Sequence, residues 1–176
     1  MGDFIRSTVS LFATITLLGV CLLSGLCYSP PADAAIRQLE EAPGQLVYQS
    51  RATLPDQHGN TWQAITFKRI RPDGSTVLAL RLVGFPGIAE IDREQPLTLT
   101  NSLGKTLTAA DASQKIFTDA TAPEANVGQY DLAPIVSALT AVIPWQLSLP
   151  TLDSEPVELS VPPTLIQEWQ TLFSQS

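Results

Sequence analysis

Beyond residue 35 the chain contains no cysteine; its two copies, Cys21 and Cys27, both lie in an apolar N-terminal segment. That removes a disulfide framework, a thiolate metal site and a cysteine nucleophile from the part that folds. Histidine is almost as scarce. The single copy, His58, sits beside Gly59 in the turn-rich run PDQHGN. A serine triad would need it as base, and no G-x-S-x-G turn surrounds any serine. Zinc and copper sites lack ligands for the same reason. Charged residues make up only 15% of the chain and sum to −7, which argues against nucleic acid as a partner. There is no repeat of fixed period and no low-complexity tract. No catalytic constellation and no cofactor motif remains.

What is present begins with a leader. Met1 to Arg6 is followed by an uncharged run of 22 residues, Ser7 to Tyr28. Ser29-Pro30-Pro31 then breaks any helix, since each proline lacks an amide donor. Ala32-Asp33-Ala34-Ala35 supplies an A-x-A site. This order describes a signal peptide over residues 1–34, cut between Ala34 and Ala35, and one domain over residues 35–176. An uncleaved membrane anchor is the competing reading, because 22 uncharged residues can span a bilayer. The proline break and the cleavage site favour removal, which leaves no transmembrane segment. The cysteines follow Val20 and Leu26, so neither sits in a lipobox. A remainder of roughly 140 residues can bury enough apolar surface to fold without staples.

Charge is unevenly distributed. Ile36 to Arg81 carries six cations against four anions, whereas Leu82 onward carries three against eleven. Lys68, Arg69, Arg71 and Arg81 all fall in the stretch Trp62–Gly87 and form a candidate interaction patch. It would meet an acidic protein or a membrane surface; the plainer alternative is cations guarding the edge of a sheet.

Strand signals dominate. Ile36–Gly44 reads as a polar lead-in with one helical turn, and Gln45–Leu54 as the first strand. The turn-dense PDQHGN run folds it back on Thr61–Ile70. A second hairpin turns at Arg71-Pro72-Asp73-Gly74. The apolar pattern suggests that Phe67 lies opposite Leu78 and Ile65 opposite Leu80. The turn chemistry suggests a bulge at Gly74, a shift of one residue and Phe67 against Ala79. The apolar pattern is taken to prevail.

Farther along, Leu97–Ser102 and Lys105–Ala109 form a third pair, and Thr108–Lys115 has room for one or two helical turns. Ile116-Phe117-Thr118 reads as a brief strand and Asp119–Gly128 as a polar loop. Asp131–Val142 reads as a helix capped by Asp131, with Pro134 in its first turn. Trp145–Leu149 and Val157–Val161 alternate as a hairpin. Thr164–Phe173 closes the chain as an amphipathic helix with Leu165, Trp169 and Phe173 on one stripe.

The expected fold is mainly β (α+β). It has about seven short antiparallel strands in a curved sheet or open barrel, with helices near 131–142 and 164–173; a two-sheet sandwich is the alternative. Trp62, Trp145 and Trp169 are expected in the core. Glu90, Asp92 and Glu94 alternate, so an extended backbone would place them on one face. Their spacing lacks the D-x-D-x-D-G order of a calcium loop.

The runs EAPGQLVYQSRATLPDQHGNTWQAITFKRIRPDGSTVLALRLVGFPG, IFTDA, NVGQYDL and VELSVPPTLIQEW resemble a cyanobacterial family of small exported proteins catalogued as a domain of unknown function. The resemblance runs from Ile36 to Leu172. It implies an extracytoplasmic site, periplasm or thylakoid lumen, and brings no activity or site residues with it. Three functions follow as expectations: first a non-enzymatic accessory or binding module, next a small β-barrel carrier of a lipid, pigment or quinone, and last a carboxylate-dependent hydrolase using Glu90 or Asp92.

Overall fold

The computed structural model describes residues 36–116, 124–153 and 155–175. The leader with its cleavage site at Ala34 and Ala35, Phe117 and Thr118 of the expected short strand, and residues 119–123 of the polar loop lie outside them. Among the described residues there are nine strands, in two antiparallel sheets. The five-stranded sheet contains β1 (Arg37–Ala42), β2 (Gln45–Pro55), β3 (Thr61–Ile70), β4 (Thr76–Val83) and β7 (Val127–Asp131), in the order β1-β2-β3-β4-β7. The four-stranded sheet contains β5 (Leu97–Asn101), β6 (Thr106–Ala109), β8 (Trp145–Leu149) and β9 (Val157–Val161), in the order β6-β5-β8-β9. Among the described residues one α-helix, α1 (Pro163–Ser174), follows.

The mainly β class is therefore found, as two sheets and not as a closed barrel. The sheets meet through single bridges, Asp56 with Leu159 and Asp111 with Tyr130. One apolar interior draws on both sheets and on α1: Trp62 and Leu80 from one, Leu99 and Leu147 from the other, Trp169 from the helix. Trp62, Trp145 and Trp169 are all fully buried, as expected. Gly84 is fitted against the Trp62 ring; a Cβ there would lie 2.8 Å from it. The Trp62 indole donates to Asp56 Oδ2 at 3.2 Å.

Four expectations need correcting. The lead-in is a strand: β1 pairs with β2 from Arg37–Gln49 to Ala42–Gln45, and Gly44 takes φ 75° in the turn. All six of its residues are exposed, so no apolar alternation announces it. Val127–Asp131 is also a strand, pairing with β4, and its Gly128 fits where a Cβ would meet Tyr130 and Ile91 at 3.1–3.2 Å.

The helix expected at 131–142 shrinks to a 3-10 turn at Val136–Ala138. Asp131 is committed to β7, and the amide of Leu132 still donates to Leu78 O at 3.1 Å. Too few residues remain to nucleate a longer helix. Leu132, Ile135, Val136 and Leu139 are nonetheless all buried, as their spacing required.

Finally, the buried stripe of α1 is Leu165, Ile166, Trp169 and Leu172, while Phe173 is 46% exposed. The helix starts at Pro163, where a missing N–H costs nothing because the first-turn amides have no helical acceptor.

Candidate functional site

The site follows from the turn at the end of β3. Gly74 adopts φ 79° and donates to Arg71 O, the Arg71 amide donates to Ser75 O at 2.9 Å, and Asp73 Oδ1 accepts from the Ser75 amide at 2.8 Å. The left-handed glycine adds one residue to the β4 side, so Ile70 pairs with Thr76 and Phe67 with Ala79. The register favoured on apolar pattern is thus wrong by one, and turn chemistry decides the pairing.

Leu78, Leu80 and Leu82 point inward beside Ala64 and Thr66, while Ile65 and Phe67 go to the opposite, outer face. There Phe67, Val47 and Ala79 form a second small apolar cluster, with Val77 packed on it.

That outer face carries the arginines. Successive cross-strand rows read Val47–Arg69–Val77, then Gln49–Phe67–Ala79–Asp131, then Arg51–Ile65–Arg81–Gln129. Arg37, across from Gln49, adds a fourth guanidinium on β1. Arg69 and Arg81 lie over the Phe67 ring, 5.2 and 5.5 Å from its centroid. Their stems roof the ring, which explains how Phe67 stays only 5% exposed on the outside of a sheet.

Arg69, Arg81 and Arg51 are each oriented by a named partner. Arg69 grips Glu41 with two donors, Nε at 3.0 Å and Nη2 at 3.3 Å. The hydrogen bond and charge of Arg69 hold the Glu41 carboxyl below its ordinary range. Arg81 donates Nε and Nη2 to the Gln129 side-chain oxygen, at 3.3 and 2.9 Å. Gln129 is buried and is itself braced by Ser113 Oγ, which accepts from its backbone amide at 3.0 Å. With its amide oxygen turned toward Arg51, Gln49 accepts from Nε at 2.8 Å and from Nη2 at 3.2 Å.

Two of these orienting groups are therefore neutral amides, which fix direction without cancelling charge. Burial, then the charge of Arg69 and that of Arg51, pushes Arg81 below its ordinary pKa, with Glu41 opposing. A cavity of about 160 Å³ lies among Arg51, Arg69, Arg81, Gln49, Phe67 and Glu41. Farther along the same strands, Gln63 and Val83 lead into a depression of about 620 Å³ that includes Thr61, Ile88 and Phe85. Phe85 is 72% exposed.

The four cations singled out from sequence divide. Arg69 and Arg81 share the outer face. Lys68, their neighbour in the chain, faces the other way and donates to the carbonyls of Phe173, at 2.7 Å, and Gln175, capping the C-terminal end of α1. Arg71 lies in the turn and reaches Ser75 Oγ at 3.3 Å. Arg37 and Arg51 were missed, although Arg51 sits two residues from Gln49 in a strand that was correctly located.

His58 is exposed in its turn, 3.7 Å from Glu155. The acidic trio does not form a strand face: Ile91 makes a single bridge to Thr151, and Asp92 Oδ1 accepts from the Glu94 amide at 3.0 Å. Among the described residues no three His, Cys, Asp or Glu side chains converge where a metal could sit, and no helix is long and apolar enough to cross a membrane.

No curated protein and no solved structure matches this chain. A family model does, over residues 34–172, under the description "Protein of unknown function (DUF3122)". The chain belongs to that family.

Proposed function

We propose that the chain is an exported, non-enzymatic binding module that docks an acidic protein on the outer face of its five-stranded sheet. The observation that carries this is position. Arg51, Arg69 and Arg81 lie on β2, β3 and β4, which are all interior strands. Cations that merely guard a sheet belong on its edges, so that explanation does not cover these three.

The neighbouring depression with exposed Phe85 adds an apolar anchor to the charged one, and aromatic and arginine side chains together are the usual make-up of a protein interface. The uncharged run Ser7–Tyr28, the Ser29-Pro30-Pro31 break and the A-x-A site at residues 32–34 support removal of residues 1–34 and delivery to a periplasm or thylakoid lumen, and the resemblance of the chain supports a cyanobacterial source. The carrier alternative draws no support from an interior filled by Trp62, Trp145 and Trp169.

Fluorescence anisotropy with labelled polyglutamate tests the reading. Binding that weakens with salt and disappears in Arg51→Glu/Arg81→Glu is the expected result. Equal affinity for polyglutamate and polylysine would defeat it.

A further inference from the structure

We infer that the cavity over Phe67 is a receptor for one carboxylate side chain of the docking partner, held by Arg51 and Arg81 beside the intrinsic Glu41–Arg69 pair. The inference rests on the binding-face reading and goes further by naming the group that is recognised and the residues that recognise it. Arg51, Arg69 and Arg81 against Glu41 leave this cavity with two uncompensated positive charges. Arg51 and Arg81 each spend Nε and Nη2 on a glutamine oxygen. Nη1 of each has no hydrogen-bond partner among the described residues. A guanidinium anchored along one edge presents the remaining N–H groups in a fixed direction, which is the geometry that receives a planar oxyanion.

Three observations select a carboxylate. Within this cavity the chain already seats one: Glu41, taken by two donors of Arg69 at 3.0 and 3.3 Å and kept ionised by them. The cavity, at about 160 Å³, is smaller than pockets for whole small ligands, which run to about 300–1,000 Å³. It suits a single functional group of something that remains outside. The face continues into the Phe85 depression, so a polypeptide that inserts one carboxylate has apolar surface to cover next to it.

Surface charge optimised for stability would look different. A cross-strand carboxylate in place of Gln129 would relieve Arg81, whose charge is disfavoured by burial and by its neighbours. Gln129 leaves that charge available. Arg81 also keeps its fork and its stacking on Phe67 (5.5 Å to the ring centroid), a combination that lysine cannot reproduce.

The test is anisotropy of a labelled hexaglutamate peptide with the full chain and four variants, at low salt. Arg81→Gln and Arg51→Gln are each expected to weaken binding about tenfold. Arg71→Gln, which removes the same charge from the turn, is expected to change it less than about twofold. Arg81→Lys, which keeps the charge and loses the fork, is expected to behave like Arg81→Gln.

Equal losses in Arg71→Gln and Arg81→Gln would overturn the receptor while leaving the face as a diffuse binding surface. No binding by the unaltered chain would remove both. Inorganic phosphate competing at lower concentration than acetate would overturn the choice of carboxylate. Sedimentation with phosphatidylglycerol vesicles in the absence of peptide binding would replace the protein partner by a membrane and overturn the inference.

Discussion

The two faces of one five-stranded sheet solve different problems with the same strands. The inner face presents Trp62, Ala64, Leu78, Leu80 and Leu82 to a core shared with the second sheet and the helix. The outer face presents Phe67, Val47 and Ala79 under a roof of arginines. A purely solvated face would need no buried phenylalanine, and a purely structural one would pair its arginines with carboxylates. The inner face supplies stability and the outer face supplies a directed positive field.

The largest expected effect lies on the inner face. Trp62→Ala removes a fully buried ring, its contact with Gly84 and its hydrogen bond to Asp56. Urea denaturation should show a loss of about 3–5 kcal/mol. Gly84→Ala attacks the same contact from the other side, with a Cβ 2.8 Å from the ring, and should lose about 1–3 kcal/mol. Losses under about 0.5 kcal/mol in both would mean that the inner face is not the close-packed one.

Asp56 comes next. Burial raises its pKa, but hydrogen bonds from Asn60, the Trp62 indole and the His58 amide outweigh that and the net shift is downward. A depressed carboxyl contributes stability above its unfolded pKa, about 3.9, and loses it as pH falls through the lower folded value. The stability advantage of the native chain over Asp56→Asn should therefore be full at neutral pH and shrink as the pH drops below about 4. Urea midpoints across that range check it; an advantage that grows on acidification would contradict the assignment.

Phe67→Leu, on the outer face, should lose less than about 1.5 kcal/mol, because the volume change is modest and the cluster is small. It should also weaken peptide binding, since Arg69 and Arg81 lose the ring that supports them.

Much of the inner face was legible in the sequence. Trp62, the three leucines of β4 and the alternating strands β8 and β9 carry period-two patterns whose burial follows directly. Helical spacing even marked the right buried residues in Leu132–Leu139, although β7 pairing took the backbone that a helix would have used.

The outer face was not legible, for a physical reason. Ile65 and Phe67 look like core residues, and only the left-handed turn at Gly74 reveals that they point away from the leucines opposite. The turn signal was present in Pro72-Asp73-Gly74 and was outweighed by the assumption that apolar residues share one core. Once the register is corrected, Arg81 stands beside Phe67 and Arg51 joins it, a grouping that linear proximity of Lys68, Arg69 and Arg71 conceals. Period-two alternation separates Lys68 from Arg69 and identifies Arg51 as the better companion.

The smallest expected change in stability is also the most direct test of the division of labour between the faces. Arg51→Gln/Arg81→Gln leaves Phe67 and every backbone pairing in place and relieves both the desolvation of the Arg81 charge and its repulsion by neighbouring arginines. Measured on one preparation by urea denaturation and by anisotropy with acidic peptide, it should stay within about 0.5 kcal/mol of the unaltered chain, or gain slightly, while binding is lost. A loss of 2 kcal/mol or more with binding retained, roughly the scale of a broken buried network, would make the arginines structural and contradict the account.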